Sequence, residues 1–315
     1  MAQNWYLERS HVKALCSRSL KYVLRPRPRV KIVKHPPAAA PLISVIIPTY
    51  NWSAVLRYAI RSVLWQTEQN FEVLVMGDGC TDDSEAVVRS FGDARIEWRN
   101  LPENSGHQTA PNNAGLALAR GEYAATFSHD DVWHPDHLRT MLAAFQFSGA
   151  DIVAAWTEMI GPKGSNFRAI NGVFPPSGFD ASGTLVPSGM MFRRRVAQKL
   201  GGWKDYRTIA QTPDLDFIRR AKAAGCTFAS TGELTVFKFN SALRRNSYVE
   251  RPCHEQAKYT KRIQWDPFFM VRESLAIARI HWFKQPMQFP DFTPPPSEDA
   301  LGWQVSQYRK YRGLE

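Results

Sequence analysis

From residue 42 onward the apolar positions fall alternately into short continuous runs and helical repeats. "LISVIIP" (42–48) is compact and largely β-branched, which predicts a buried strand. In residues 53–66, Val55, Leu56, Ala59, Ile60, Val63 and Leu64 recur at helical spacing behind Ser53, a good cap. "FEVLVM" (71–76) predicts a second strand. "DDSEAVVRSF" (82–91) predicts a helix whose acidic first turn suits the helix dipole. "RIEWRN" (95–100) and "EYAATFS" (122–128) read as strands three and four, with a helix of small residues, "TAPNNAGLALARG" (109–121), between them. "HPDHLRTMLAAFQ" (134–146) follows as a helix with Pro135 in its first turn.

Strands alternating with helices require crossover connections, so the predicted class is α/β: a Rossmann-like, mainly parallel sheet flanked by helices. Ligands of such sheets gather at the carboxyl ends of the strands. Tyr50 and Asn51, Asp78 and Gly79, and Asp130 and Asp131 each follow a predicted strand, so three stretches converge on one edge. Adjacent Asp130 and Asp131 repel each other and cannot share one face of a strand. A hard divalent cation would offset the repulsion, and helix capping is the alternative role. Beyond residue 150 the pattern weakens. Residues 151–159 predict a strand, 161–189 a loop-rich region facing the acceptor, 190–203 a strand running into a helix, 213–225 a helix ended by Gly225, and the stretch from about 285 a proline-rich tail.

With 315 residues, 44% hydrophobic and 22% charged, the chain suits one large or two small soluble domains. It has neither an apolar run near ~20 residues nor a secretory hydrophobic region. Cys16, Cys80, Cys226 and Cys253 are far apart, which predicts a reducing cytoplasm and no disulfide framework. The net charge is +11, and residues 1–40 hold nine Lys or Arg against one Glu, or +8 of it. Here a potential helix (4–24), with Trp5, Leu7, Val12, Leu15, Leu20 and Tyr22 as its apolar positions, precedes the basic "RPRPRVKIVKHPP". The segment reads either as a solvated extension or as an attachment to the anionic inner face of a membrane. Nucleic acid is not an expected partner, because no base-reading motif is present. GxGxxG, the P-loop and GxSxG are all absent.

Together "SVIIPTYN", "EVLVMGDGCTDD", "NAGLALARGEY", "FSHDDVWHPDHL" and, more loosely, "GGWKDYRTIAQTPDLDF" resemble glycosyltransferase family 2, over roughly residues 42–225. The resemblance implies the GT-A fold, a nucleoside-diphosphate sugar donor (UDP-sugar first), a divalent metal (Mn2+ or Mg2+) and inversion at the anomeric carbon. The expected organisation is a basic N-terminal extension (1–40), a transferase domain (41–265, with the nucleotide part at about 41–135 and the acceptor part at about 136–265) and a helical, proline-rich C-terminal tail (266–315). By position, Pro48, Thr49 and Tyr50 would hold the base and ribose. Asp78 would accept the imide N–H of uracil, thymine or guanine. Asp130 would contact ribose or support the metal, and Asp131 would be the metal ligand. His107 stands where an arginine is usual and would face the donor phosphates. Asp214 would be the catalytic base, with Asp216 as its substitute. Arg244, Arg245 and His254 would close over the diphosphate from a basic loop. His129, His134 and His137 read as surface or capping residues. Ser128, Gly77, Cys80 and Pro213 depart from the motif residues the resemblance implies, and Ser128, Gly77 and Pro213 keep open a catalytically silent nucleotide-sugar-binding or scaffold protein. The acceptor would be a glycan, lipid-linked or protein hydroxyl, as in cell-surface polysaccharide synthesis.

Overall fold

A computed structural model describes residues 7–24, 40–175, 178–180, 185–287, 297 and 300–315. The chain opens with α1 (Arg9–Ser19) and α2 (Lys21–Leu24), followed by β1 (Ile43–Thr49), α3 (Ser53–Leu64), β2 (Phe71–Gly77), α4 (Ser84–Ser90), β3 (Ile96–Asn100), α5 (Thr109–Leu118) and β4 (Tyr123–Thr126). The second half holds β5 (Val132–Trp133), α6 (His137–Ser148), β6 (Ile152–Ile160), β7 (Arg168–Asn171), β8 (Met190–Arg193), α7 (Arg194–Leu200), α8 (Pro213–Ala223) and β9 (Phe228–Phe239). The last helices are α9 (Ser247–Glu250), α10 (His254–Trp265), α11 (Phe269–Trp282) and α12 (Trp303–Arg312).

The sheet runs β3-β2-β1-β4-β8-β6-β9-β5, with β7 paired to β6. β3, β2, β1 and β4 are mutually parallel, as their crossover helices require. β1 and β2 are buried along their whole length, which explains their continuous apolar runs. The small residues of α5 let it lie close to the sheet: a Cβ on Gly115 would stand 2.5 Å from Ile46. Beyond β4, β8 runs antiparallel to both β4 and β6, and β9 then runs parallel to β6.

Residues 9–19 are not a solvated extension. Val12 and Leu15 are buried, and Leu15 packs in one apolar cluster with Phe237, Tyr259, Phe269 and Ile277. The basic stretch 25–37 and Trp5 lie outside the described residues. The inner face of α11 is tied to the sheet by buried ions: Arg168 bridges Glu158 (2.5 Å) and Glu273 (2.7 Å), and Arg262 pairs with Glu273 (2.5 Å). All four cysteines are free. Among the described residues no helix is long and apolar enough to cross a membrane.

Candidate active site

The ends of β1, β2 and β4 open into a cleft of about 280 Å³. Pro48, Thr49, Tyr50, Asp78, His107 and Asp130, predicted from separate stretches, all line it. Asp78 leaves β2 with its amide donating to the Thr49 carbonyl (2.8 Å). Its carboxylate accepts from the Ser105 amide (3.0 Å) and the Asn104 side chain (3.1 Å). Burial pushes the Asp78 pKa up, while Ser105 and the Arg309 charge oppose that rise. A carboxylate has about four lone-pair sites, so it retains capacity for a ligand N–H.

The aspartate pair is split by its surroundings. Asp131, predicted as the metal ligand, is fully buried and does not reach the cleft. Its oxygens accept from Ser188 Oγ (2.5 Å), Lys238 Nζ (3.1 Å) and the Phe239 amide (3.0 Å). Burial raises its pKa to about 6, and Lys238 is the principal opposing charge. Asp130 is the member that faces the cleft, and its carboxylate accepts no hydrogen bond among the described residues. Of the pair, it is Asp130 and not the predicted ligand Asp131 that lines the cleft. His129 is no surface residue: Nδ1 bonds Thr49 Oγ1 (2.7 Å), Nε2 bonds the Tyr248 hydroxyl (3.2 Å), and burial lowers its pKa. His137 is likewise buried, stacked on Trp133 and bonded to Thr235 (2.8 Å).

Lys238 is a site residue that the sequence pattern did not reveal. It sits on β9 between buried Phe237 and Phe239 and lines the cleft. Burial works against its charge, but Asp131, Asp130 and Asp214 outweigh it and raise the pKa. Asp214, in the first turn of α8, lines the cleft on the other side of the lysine's field. Its Oδ2 accepts from Gln108 Nε2 at 3.3 Å, and the Trp203 side chain also favours the ionised carboxylate, although Oδ1 and the indole N–H do not reach full hydrogen-bond geometry. Burial raises its pKa to about 6, with Lys238 pulling the other way. Asp216 is spent on Arg220 (2.7 Å) and does not line the cleft. His107 is held neutral, its pKa lowered to about 3 by burial and by Arg312 and Arg309.

Arg244, Arg245 and His254 of the predicted basic loop do not line the cleft. Arg244 is buried, donating two hydrogen bonds to the Glu255 carboxylate (2.9 and 3.0 Å) and others to the carbonyls of Ile160, Asn240 and Gly161. Arg245 and His254 are exposed and outside the cleft lining. The arginines that do line the cleft, Arg309 and Arg312, come from α12, in the stretch read as a tail. Arg309 bonds the Gly106 carbonyl and Glu315 (2.7 Å). Arg312 bonds the Tyr308 carbonyl and lies over the Tyr248 ring, 5.7 Å from its centroid.

The profile of the "Glycosyl transferase family 2" domain matches residues 44–201. An "uncharacterized glycosyltransferase" of Nostoc sp. is 30% identical over 285 residues, covering 76% of this chain and 87% of its own length. This chain belongs to glycosyltransferase family 2. It spans only 22% and 30% of the length of matching glycosyltransferases from Rickettsia felis and Rickettsia prowazekii. In fold it resembles S. aureus TarS 1-349 in complex with UDP (TM-score 0.53, 19% identity, 74% of this chain and 70% of that one). It also resembles the mannosyltransferase PcManGT from Pyrobaculum calidifontis in complex with GDP-Man and Mn2+ (TM-score 0.51, 16% identity, 86% and 79%). These neighbours bear out the GT-A type α/β fold.

One departure from the family-2 motif has a local cause. A side chain at Gly77 would collide with Asn100 and lie 2.8 Å from the Trp98 ring. Asn100 instead locks the following turn, accepting from the Cys80 amide and donating to the Cys80 carbonyl, both at 2.9 Å.

Of the three aspartates that line the cleft, Asp78 and Asp214 already accept hydrogen bonds from the fold, so Asp130 is the carboxylate that would hold an ion. Among the described residues no three His, Cys, Asp or Glu side chains cluster to hold an ion. A hard cation bound by one carboxylate and completed by substrate phosphates is nevertheless a familiar arrangement.

Proposed function

We propose that this protein moves a sugar from a nucleoside-diphosphate donor, UDP-sugar first, onto a hydroxyl acceptor with inversion, with Asp214 as the base. One observation carries the reading: Asp78, Asp130 and Asp214 share a cleft with Lys238, Arg309 and Arg312. Asp78 offers acceptors to a base with an imide N–H, which both uracil and guanine have, and the neighbouring structures hold UDP and GDP-Man. Tyr50 and Thr49 flank that position, and neutral His107 adds no charge. Lys238, Arg309 and Arg312 face the diphosphate. Asp130 would hold the divalent cation, which supplies Lewis-acid neutralisation of the departing diphosphate when bound. Asp214 takes the proton of the attacking hydroxyl, leaving the anomeric carbon bonded to the new oxygen and the nucleoside diphosphate released. Leu185, Val186 and Pro187 form an apolar wall on the cleft that limits water beside the donor.

The test is a thermal-shift titration with UDP, GDP and ADP, with and without Mn2+, followed by assay of nucleoside diphosphate release. UDP or GDP should raise the melting temperature more than ADP. Mn2+ should enlarge the shift in the wild type but not in Asp130→Asn. Shifts of equal size for all three nucleotides would overturn the assignment of Asp78. Arg309→Ala combined with Arg312→Ala should raise the donor Kd by about 10-fold or more, since each charge-assisted bond contributes roughly 1.5–3 kcal/mol. Arg244→Ala should lower stability and leave that Kd unchanged. The opposite pattern, read by calorimetric titration, would restore the 244–245 loop as the phosphate site.

A further inference from the structure

Among the described residues the outer face of α11 is exposed, touched only by Arg9 of α1 at Trp282. Its inner face buries Phe269, Met270, Glu273, Ile277 and Ile280. At 100° per residue, Phe268, Arg272, Leu275, Arg279, Trp282 and Phe283 fall within an arc of about 100° on the opposite side. All six are exposed, Phe283 by 71%, and Trp265 at the end of α10 is 76% exposed beside the start of the stripe. The helix of 14 residues makes this a band about 21 Å long. Its cations alternate with its apolar residues rather than rimming them. The α11 acid, Glu273, points inward, and Asp266 is neutralised by Arg272 (2.6 Å). Arg9 of α1 adds a further cation above the Trp282 ring, 5.0 Å from its centroid.

We propose that this face docks the protein onto an anionic phospholipid bilayer. Arg272 is compensated by Asp266, but among the described residues Arg279 and Arg9 have no carboxylate partner, so the face presents uncompensated positive charge that complements lipid phosphates. At a bilayer surface the same order is favourable. Trp, Phe and Leu enter the headgroup–acyl boundary, while the long arginine arms reach back to lipid phosphates. This surface is separate from the cleft and does not depend on the donor assignment.

The experiment uses the full chain with phosphatidylcholine vesicles, with and without phosphatidylglycerol. Sedimentation should show binding to the anionic vesicles, and Trp265→Ser/Phe268→Ser/Phe283→Ser should lower the partition coefficient at least about 10-fold. The basic N-terminal residues could hold such vesicles by charge alone, so depth is read separately. Lipids brominated on the acyl chains should quench wild-type tryptophan fluorescence, and Trp265→Ser/Trp282→Ser should lose most of that quenching. The substitutions are on the surface, so melting temperature and nucleotide shifts should be unchanged. Equal partitioning of the triple variant, absence of acyl-chain quenching, or an effect of the variant on self-association alone would overturn the proposal and leave the transferase reading intact.

Discussion

Asp214→Asn should lower kcat by ~10²–10⁴-fold and leave the donor Kd within about 2-fold of wild type. The carboxylate lines the cleft, accepts one long hydrogen bond from Gln108 and has only a loose contact with the Trp203 side chain. A pKa raised to about 6 leaves it mostly ionised at neutral pH, yet basic enough to take a proton as the hydroxyl attacks. In the wild type, log kcat/KM should therefore rise with unit slope up to about pH 6 and level above it. The residual rate of the variant should lack that limb. Stability should move the other way. The folded pKa lies above the ordinary 3.8, so the protonated form is favoured by folding. That contribution is present below the unfolded value and is lost as pH rises through about 6. At pH 8 the Asn variant should melt higher than wild type, and near pH 4 the two should converge. Asp216→Asn is the control: it leaves Arg220 without its partner, so it should lose stability and keep most of kcat. A 10²-fold loss in Asp216→Asn with an active Asp214→Asn would transfer the base to Asp216.

The parallel strands β1, β2 and β4 were legible because burial there is complete. A strand covered on both faces has to be a continuous apolar run, and crossover helices announce themselves by their periodicity. Tyr50, Asp78 and Asp130 could therefore be assigned to one edge from the order of residues alone. What that order does not carry is the rest of each site residue's environment. Asp130 and Asp131 look equivalent in sequence. Their difference is made by Ser188, Lys238 and Phe239, which are 57 to 108 residues away.

β9 was hidden for a related reason. Its first residues, "FASTGE", are polar and half-buried, and Gly232 interrupts them with a φ of +65°. Only "LTVFKF" is apolar and buried nearly throughout, and a lysine flanked by two phenylalanines in such a run was the signal that a cation leaves the core there. Arg244 shows the opposite error. A cluster of basic residues suggested a phosphate-binding loop, but a guanidinium with five donors also suits carbonyls left by ending strands, and that is where it went. Arg309 and Arg312 of α12 lie far beyond the family-matched region, which ends at residue 201, so no motif could reach them. Their role rests on where the C-terminal helix packs.

Removing Asp131 should harm the fold more than it harms the metal. Asp131→Ala leaves Lys238, Ser188 Oγ and the Phe239 amide without their acceptor in a buried setting, at an expected cost of about 3–5 kcal/mol in urea unfolding. Lys238→Met should also destabilise, because it strands an ionised carboxylate. The double variant Asp131→Asn/Lys238→Met should cost well below the sum of the two single losses, since neither charge is then left alone. That variant separates the two roles the carboxylate could have. With Asp130 as the cleft-facing ligand, it should retain a Mn2+-dependent shift in the presence of UDP, although Kd rises through loss of the Lys238 charge. If Asp131 itself binds the cation, the shift should vanish, and Lys238→Met alone should tighten Mn2+ binding by freeing the carboxylate. The sign of the Mn2+ response in Lys238→Met therefore decides whether the lysine cooperates with the cation or competes with it.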